Sequence, residues 1–231
     1  MNVGQNYASE RVLIVSAHPD DDIIGCGGII SKFRQEARFK VIFICEGSTC
    51  RFSYPGSSEA QEALKERTEC AKESLKYLGV SEYEFYDLLC GRLDQEPQIK
   101  INKIIEKEIS LFKPDTVFTH SNVDSNKDHS KVYDATIIAT RPESFVKDVY
   151  SYEVLSSSEW GFNQPFSPNV FFELSEQDIA NKWRALEFYK TEIRDRPHPR
   201  SKEGVFSLAK VRGAQSGFAF AESFKLIRSF R

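Results

Sequence analysis

Short apolar runs alternate with helical periodicity through the first two thirds of the chain, and this alternation constrains the fold more than any other feature. Arg11 to Ala17 and Lys40 to Cys45 read as strands buried on both faces. Weaker strand patterns occur at Tyr83–Leu88, Thr116–Thr119 and Val146–Leu155. Between them, residues 59–78 place Leu64, Ala71, Leu75 and Leu78 on one helical face, with Ser58 and Gln61 as a capping box and Gly79 as the stop. Residues 98–112 repeat the pattern through Ile101, Ile104, Ile105, Ile109 and Phe112, ended by Lys113-Pro114. Strands separated by helices need right-handed crossovers onto a parallel sheet. The expected class is therefore α/β, an open and mostly parallel sheet with helices on both faces.

Beyond about Ser156 the patterns weaken. Ser156-Ser157-Ser158, Gln164-Pro165 and Ser167-Pro168-Asn169 read as loops packed by Trp160, Phe162 and Phe166. Ser175 to Lys190 reads as a capped helix with Ile179, Trp183 and Leu186 inward, and Arg194 to Lys202 as a second loop holding His198-Pro199-Arg200. With 231 residues, no long linker and no internal repeat, we expect a single domain over 1–231 with an irregular C-terminal layer. At 40% apolar and 28% charged residues the composition is that of a globular protein. Its net charge of −3 offers no basic surplus for nucleic acid or an anionic membrane. No apolar run approaches the ~18 residues of a membrane span, and Met1 to Glu10 lacks the pattern of a signal peptide. Five cysteines (26, 45, 50, 70 and 90) without a C-x-x-C pair read as reduced thiols of a cytoplasmic protein. Homo-oligomerisation stays open.

The first strand runs straight into His18-Pro19-Asp20-Asp21-Asp22. Ligands of open parallel sheets bind at the carboxyl ends of strands. Three carboxylates and an imidazole placed there repel one another unless a cation holds them. A plainer reading competes: Pro and Asp favour turns, and Asp caps helices. A second cluster shifts the balance. The strand Thr116–Thr119 ends in His120, and residues 121–128 deliver His129 at a helix start, on the same sheet edge. His18, Asp21 and His129 then form a two-histidine, one-carboxylate set with open coordination positions, as catalytic zinc requires.

These residues, with Ala17 before them and Gly25-Cys26-Gly27-Gly28 after, resemble the signature of the PIG-L/LmbE-like N-acetylglucosaminyl deacetylases, where Asp22 replaces the usual Glu. The resemblance continues through Glu46-Gly47, Arg67-x-x-Cys70 to Leu78-Gly79, Asp124-x-Asn126-x-Asp128-His129, His198-Pro199-Arg200-Ser201, Arg212-Gly213 and Ala221-Glu222-x-Phe224. It implies a Rossmann-like fold and one divalent metal, Zn²⁺ first and Fe²⁺ as another choice. His18, Asp21 and His129 would be the ligands and Asp20 the general base. It implies hydrolysis of the acetyl amide of a small N-acetylated sugar. Many members carry a histidine at the position of Asn126, which is thought to stabilise the oxyanion; an amide can donate there but cannot add charge. His198 is the substitute candidate. Arg67, Asp124, Asn126 and Arg200 are candidate substrate contacts. Two of these being arginines, a diphosphate could be met, which favours a nucleotide-linked sugar of surface-polysaccharide or glycoconjugate synthesis.

Other readings compete. A non-haem iron oxygenase also uses two histidines and a carboxylate, and a non-catalytic sugar- or nucleotide-binding protein could keep the fold. The glycines with Glu46 hint at a dinucleotide loop, but Ile30 stands where a third glycine belongs, so close helix–sheet packing is preferred. Glu222, set among apolar residues, is expected to be buried and paired with Arg212 or Arg200. The cysteines read as small buried hydrophobes, none adjoining a histidine in sequence.

Overall fold

A computed structural model describes residues 9–231; most of the N-terminal stretch read above for a signal peptide lies outside them. One seven-stranded sheet has the order β3-β2-β1-β4-β5-β7-β6. Its members are β1 (Arg11–Ser16), β2 (Arg38–Cys45), β3 (Glu82–Leu88), β4 (Thr116–Thr119), β5 (Asp148–Tyr152), β6 (Val170–Leu174) and β7 (Phe220–Ser229). The first five strands run parallel, and β7 pairs antiparallel with both β5 and β6. Six helices accompany them: α1 (Asp21–Phe33), α2 (Ser58–Leu78), α3 (Gln98–Phe112), α4 (Lys127–Ala139), α5 (Glu176–Leu186) and α6 (Lys202–Ser216).

Alternation along β1 explains the two layers. Val12 and Ile14 join one buried cluster with residues of α1, α2 and α5, whereas Leu13 and Val15 join the other with residues of α3 and α4. Helices therefore cover both faces, as expected. The chain leaves β1 toward β2 and β3, then returns to place β4 on the other side of β1. The strand order reverses there, which opens a crevice at the carboxyl ends of β1 and β4.

Local chemistry departs from the sequence reading in three places. Helix α2 is capped by Ser57, whose side chain accepts from Ala60 N–H, and not by a box of Ser58 and Gln61. The stop at Gly79 holds, with φ of 81°. The C-terminal layer is more regular than expected: α6 and the ten-residue β7 stand where an irregular layer was expected. Only Val205, Ala209 and Gly213 of α6 are buried, too few to print an amphipathic period. Finally, Glu222 pairs with neither arginine. It accepts from Lys182 Nζ (2.7 Å) and from the backbone N–H groups of Gly28 and Ile29 in α1 (2.8 and 2.7 Å), while Arg212 pairs with Glu153. The partner came from α5, which no local pattern announces.

The glycines of α1 do serve close packing. A Cβ at Gly25 would lie 2.2 Å from the Tyr152 ring, and one at Gly28 would lie 2.4 Å from Leu174. Glu46 is fully occupied, accepting from Ser48, Thr49 and Cys90 N–H groups. No free carboxylate is left there for a ribose.

Candidate active site

Strand β1 ends at Ser16, and the chain turns through Ala17-His18-Pro19 to start α1 at Asp21. Asp20 is the N-cap with φ of 114°, a left-handed conformation that non-glycine residues adopt at a cost of about 1–3 kcal/mol. Arg67 of α2 holds the turn: its Nε–H donates to the Pro19 carbonyl (2.7 Å) and its Nη2 pairs with Asp20 Oδ1 (3.0 Å). Opposite, β4 leads through His120 into a loop whose last residue, Asn126, caps α4 by accepting from Asp128 N–H (3.0 Å). That cap sets His129 in the first turn, facing β1.

The three expected ligands converge. His18 Nδ1 lies 3.1 Å and His129 Nε2 3.3 Å from Asp21 Oδ2. The three could hold a metal ion, with ligand atoms within 4.8 Å of one another. Each is nearly inaccessible: 7% exposed for His18 and 1% for Asp21 and His129. Each histidine is also backed by a carboxylate on its far nitrogen. His18 Nε2 lies 2.9 Å from Asp128 Oδ2, and His129 Nδ1 lies 3.2 Å from Asp124 Oδ1. Carboxylates in this position orient a metal-bound imidazole and raise its basicity. Both are anchored in turn: Asp128 accepts from Gly91 and Leu93 N–H groups, Asp124 from the Ser157 and Ser158 hydroxyls.

The electrostatics fit a cation. Burial would lower His129, yet Asp21 and Asp124 raise it to about 9. Burial opposes His18 as well, and Asp128 and Asp21 still lift it well above its usual value. Against its own burial, Asp21 is held well below the usual carboxylate range, mainly by His129. His129 Nε2 makes no well-formed hydrogen bond although it faces a carboxylate oxygen. A bound cation relieves that arrangement without protons.

Asp20 makes no hydrogen bond or ion pair to this trio among the described residues. Its second oxygen pairs with Arg200 Nη1 (2.8 Å), so two guanidinium groups clamp it, and both also pair with Glu192, as does Arg51. Burial raises Asp20 above its usual value, with Arg67 and Arg200 restraining the rise. Next along the chain, burial and Asp20 push Asp22 up to about 8.

The remaining candidates take specific places. Arg200 meets Asp20, whereas Arg67, 5% exposed, has both ends committed. Asp124 is turned to His129 and the serines, and the Asn126 carbonyl oxygen to its own helix. His198 is half-buried; its Nδ1 accepts from Arg200 N–H (3.1 Å), with no hydrogen bond or ion pair to the trio. Sequence reasoning missed three residues. His120 stacks on His129 at 3.9 Å between ring centroids, and its Nε2 accepts from Ala17 N–H (2.8 Å). Asp128, next to a ligand, could have been recognised as a supporting carboxylate. Glu192, in an irregular segment after α5, carries no local signal at all.

The chain is 24% identical over 188 residues, 78% of its length and 90% of the relative's, to the uncharacterized deacetylase YaiS of Escherichia coli (strain K12). Its fold resembles that of the N,N'-diacetylchitobiose deacetylase from Pyrococcus horikoshii, with a TM-score of 0.73 at 19% identity over 95% of this chain and 84% of that one. It equally resembles GalB, the 4-carboxy-2-hydroxymuconate hydratase from Pseudomonas putida KT2440, with a TM-score of 0.72 at 20% identity over 96% and 98%. The fold alone thus leaves the reaction open. The match of residues 13–140 to GlcNAc-PI de-N-acetylase, more than half of the sequence and spanning every ligand candidate, shows that this chain belongs to the PIG-L family.

Proposed function

We propose that this protein is a metal-dependent amide hydrolase that removes the acetyl group from an N-acetylated amino sugar. The observation that carries the reading is the convergence of His18 Nδ1, Asp21 Oδ2 and His129 Nε2, each histidine backed by a carboxylate. Two imidazoles and one carboxylate suit Zn²⁺ first, with Fe²⁺ as the other fitting ion. When bound, such an ion polarises the acetamide carbonyl and acidifies water.

The chain's own groups do the rest. Asp20 adjoins the ligand Asp21 but is held off it by Arg67 and Arg200, so its carboxylate stays free of the metal. Each Asp20 oxygen has a lone pair beyond its guanidinium contact. One takes the proton of the attacking water and returns it to the departing amine. The two arginines fix that carboxylate in line. His198 acts by setting Arg200 through its backbone N–H. Asn126 keeps an amide NH₂ with no partner among the described residues, a donor that could meet the developing oxyanion.

A nucleotide-linked sugar draws less support from the fold than from the sequence. Arg67 is spent on Asp20 and Glu192, which leaves Arg51 and Arg200, both already on Glu192, to receive a diphosphate. The substrate we infer is therefore the sugar of a glycoconjugate. Metal analysis of the purified protein, with acetate release measured on N-acetylhexosamines, their nucleotide-linked forms and their oligomers, tests the reading. Acetate released only by metal-loaded protein supports it. A metal-loaded protein that hydrates an unsaturated acid and releases no acetate overturns it in favour of the chemistry named for GalB.

A further inference from the structure

Two sulfur atoms meet where the chain leaves β2 and β3. Cys50 Sγ and Cys90 Sγ lie 2.9 Å apart, in hydrogen-bond contact, and both cysteines are free. No other two sulfurs hydrogen-bond to each other among the described residues. Cys50 lies in a short 3₁₀ turn, Thr49–Arg51, and is exposed, whereas Cys90 is buried. The exposure of Cys50 departs from the reading of the cysteines as buried hydrophobes.

We propose that Cys50 and Cys90 form a reversible disulfide, a redox modification site that clasps the loop supporting Asp128. Distance is the first argument: a disulfide measures about 2.05 Å, so the sulfurs need to approach by only roughly 0.9 Å. The framework is the second. Buried Glu46 holds both segments at once, accepting from Cys90 N–H (2.9 Å) through one oxygen and from Thr49 N–H (3.0 Å) through the other. Gly91, with φ of 72°, turns the chain so tightly that a Cβ there would lie 3.3 Å from Cys50 Cβ. Access is the third, because one thiol meets solvent and the other waits behind it.

The oxidant that fits is a low-molecular-weight disulfide of the glutathione class. The Cys50 thiolate attacks one of its sulfurs, breaking that S–S bond and expelling one small thiolate. The Cys90 thiolate then attacks Cys50 Sγ in the mixed disulfide and expels the second. Both thiol protons of the protein end on the two small thiols, and two electrons pass to the oxidant. A dithiol reductant reverses the exchange. Just past Cys90, the Gly91 and Leu93 N–H groups donate to Asp128 (2.6 and 3.1 Å), the carboxylate behind His18 Nε2. A bond from 90 to 50 restricts that loop, so the redox state of the pair reaches the support of His18. The inference holds whichever reaction the trio performs.

The test equilibrates the full chain with oxidised and reduced glutathione, blocks the remaining thiols by alkylation and maps linked peptides by mass spectrometry. The proposal expects one link, Cys50 to Cys90, lost in Cys50→Ser, retained in Cys70→Ser and cleared by a dithiol reductant. Cys50 is exposed, so its conversion to serine leaves folding intact. Closing a loop across 40 residues should raise Tm of the oxidised protein by roughly 5–10 °C. Amide hydrogen exchange at Gly91 and Leu93 should slow in the same form. Glutathione held on Cys50 without the link, or scrambled pairings among the five cysteines, overturns the proposal. So does a link that fails to raise Tm or to protect both amides.

Discussion

Two buried charge clusters share the carboxyl edge of the sheet, and they are neutralised differently. The ligand corner collects the carboxylates of Asp21, Asp124 and Asp128 around three imidazoles, with no arginine or lysine among their ion-pair partners in the described residues. The arginine corner sets Arg51, Arg67 and Arg200 against Asp20 and Glu192. On the function proposed above, the first would be completed by an added cation; the second is completed by the chain itself. Neighbouring residues, Asp20 and Asp21, thereby end in opposite environments. Substitutions in the ligand corner should cost metal and turnover, and those in the arginine corner should cost stability or proton transfer while metal is kept.

The sharpest break is at a ligand. Asp21→Ala or His129→Ala should abolish metal retention and lower turnover by on the order of 10⁴-fold or more, because the ion's contribution goes with it. Metal analysis and acetate release check this together; a metal-free Asp21→Ala protein with normal turnover would dissolve the distinction between the corners. Next in size is Asp20→Asn, expected to keep full metal while losing about 10²–10⁴-fold in kcat, the range for a general base.

Glu192→Gln probes the self-neutralised corner. It leaves buried guanidinium groups short of a counter-charge, at a cost of about 3–5 kcal/mol, seen as a fall of roughly 10 °C in Tm with metal content unchanged. Burial opposes ionisation of Glu192, yet Arg51 first, then Arg67 and Arg200, hold its carboxyl down to about 2. A carboxyl lowered in the native state stabilises fully above its unfolded value near 4.5, and the benefit fades as pH falls toward 2. The stability gap between wild type and Glu192→Gln should accordingly narrow between about pH 5 and pH 2 in denaturant titrations. The smallest effect belongs to the supporting carboxylates: Asp124→Asn or Asp128→Asn should weaken metal affinity by about 10–100-fold, measured by competition with a chelator.

Much of this was legible in the sequence. The periodicities of 98–112 and 116–119 mark α3 and β4 to the residue, because apolar spacing decides them. His18, Asp21 and His129 were legible as a set because each stands where a parallel strand yields to a helix, and topology brings those points together. What stayed hidden depended on partners distant in sequence. Glu192 gathers three arginines from three segments, and Lys182 reaches Glu222 from another helix. Residue type announces that such charges need partners, but only the fold assigns them. Helix α6 buries only Val205, Ala209 and Gly213, so its own pattern is weak, and β7 owes its place between β5 and β6 to strands distant in sequence.

The contact between Glu222 and the backbone of α1 bridges 194 residues, and it has a consequence for synthesis of the chain. The helix that begins with Asp21 emerges from the ribosome long before the carboxylate that clasps its middle. Until β7 is out, β5 presents an unpaired edge and Tyr152, packed against Gly25, lacks its final cover. Elongation at about 5–20 residues per second leaves that edge bare for seconds, the interval in which strands pair with the wrong chain. A nascent protein of this topology has α1 already made while its clasp is still unbuilt.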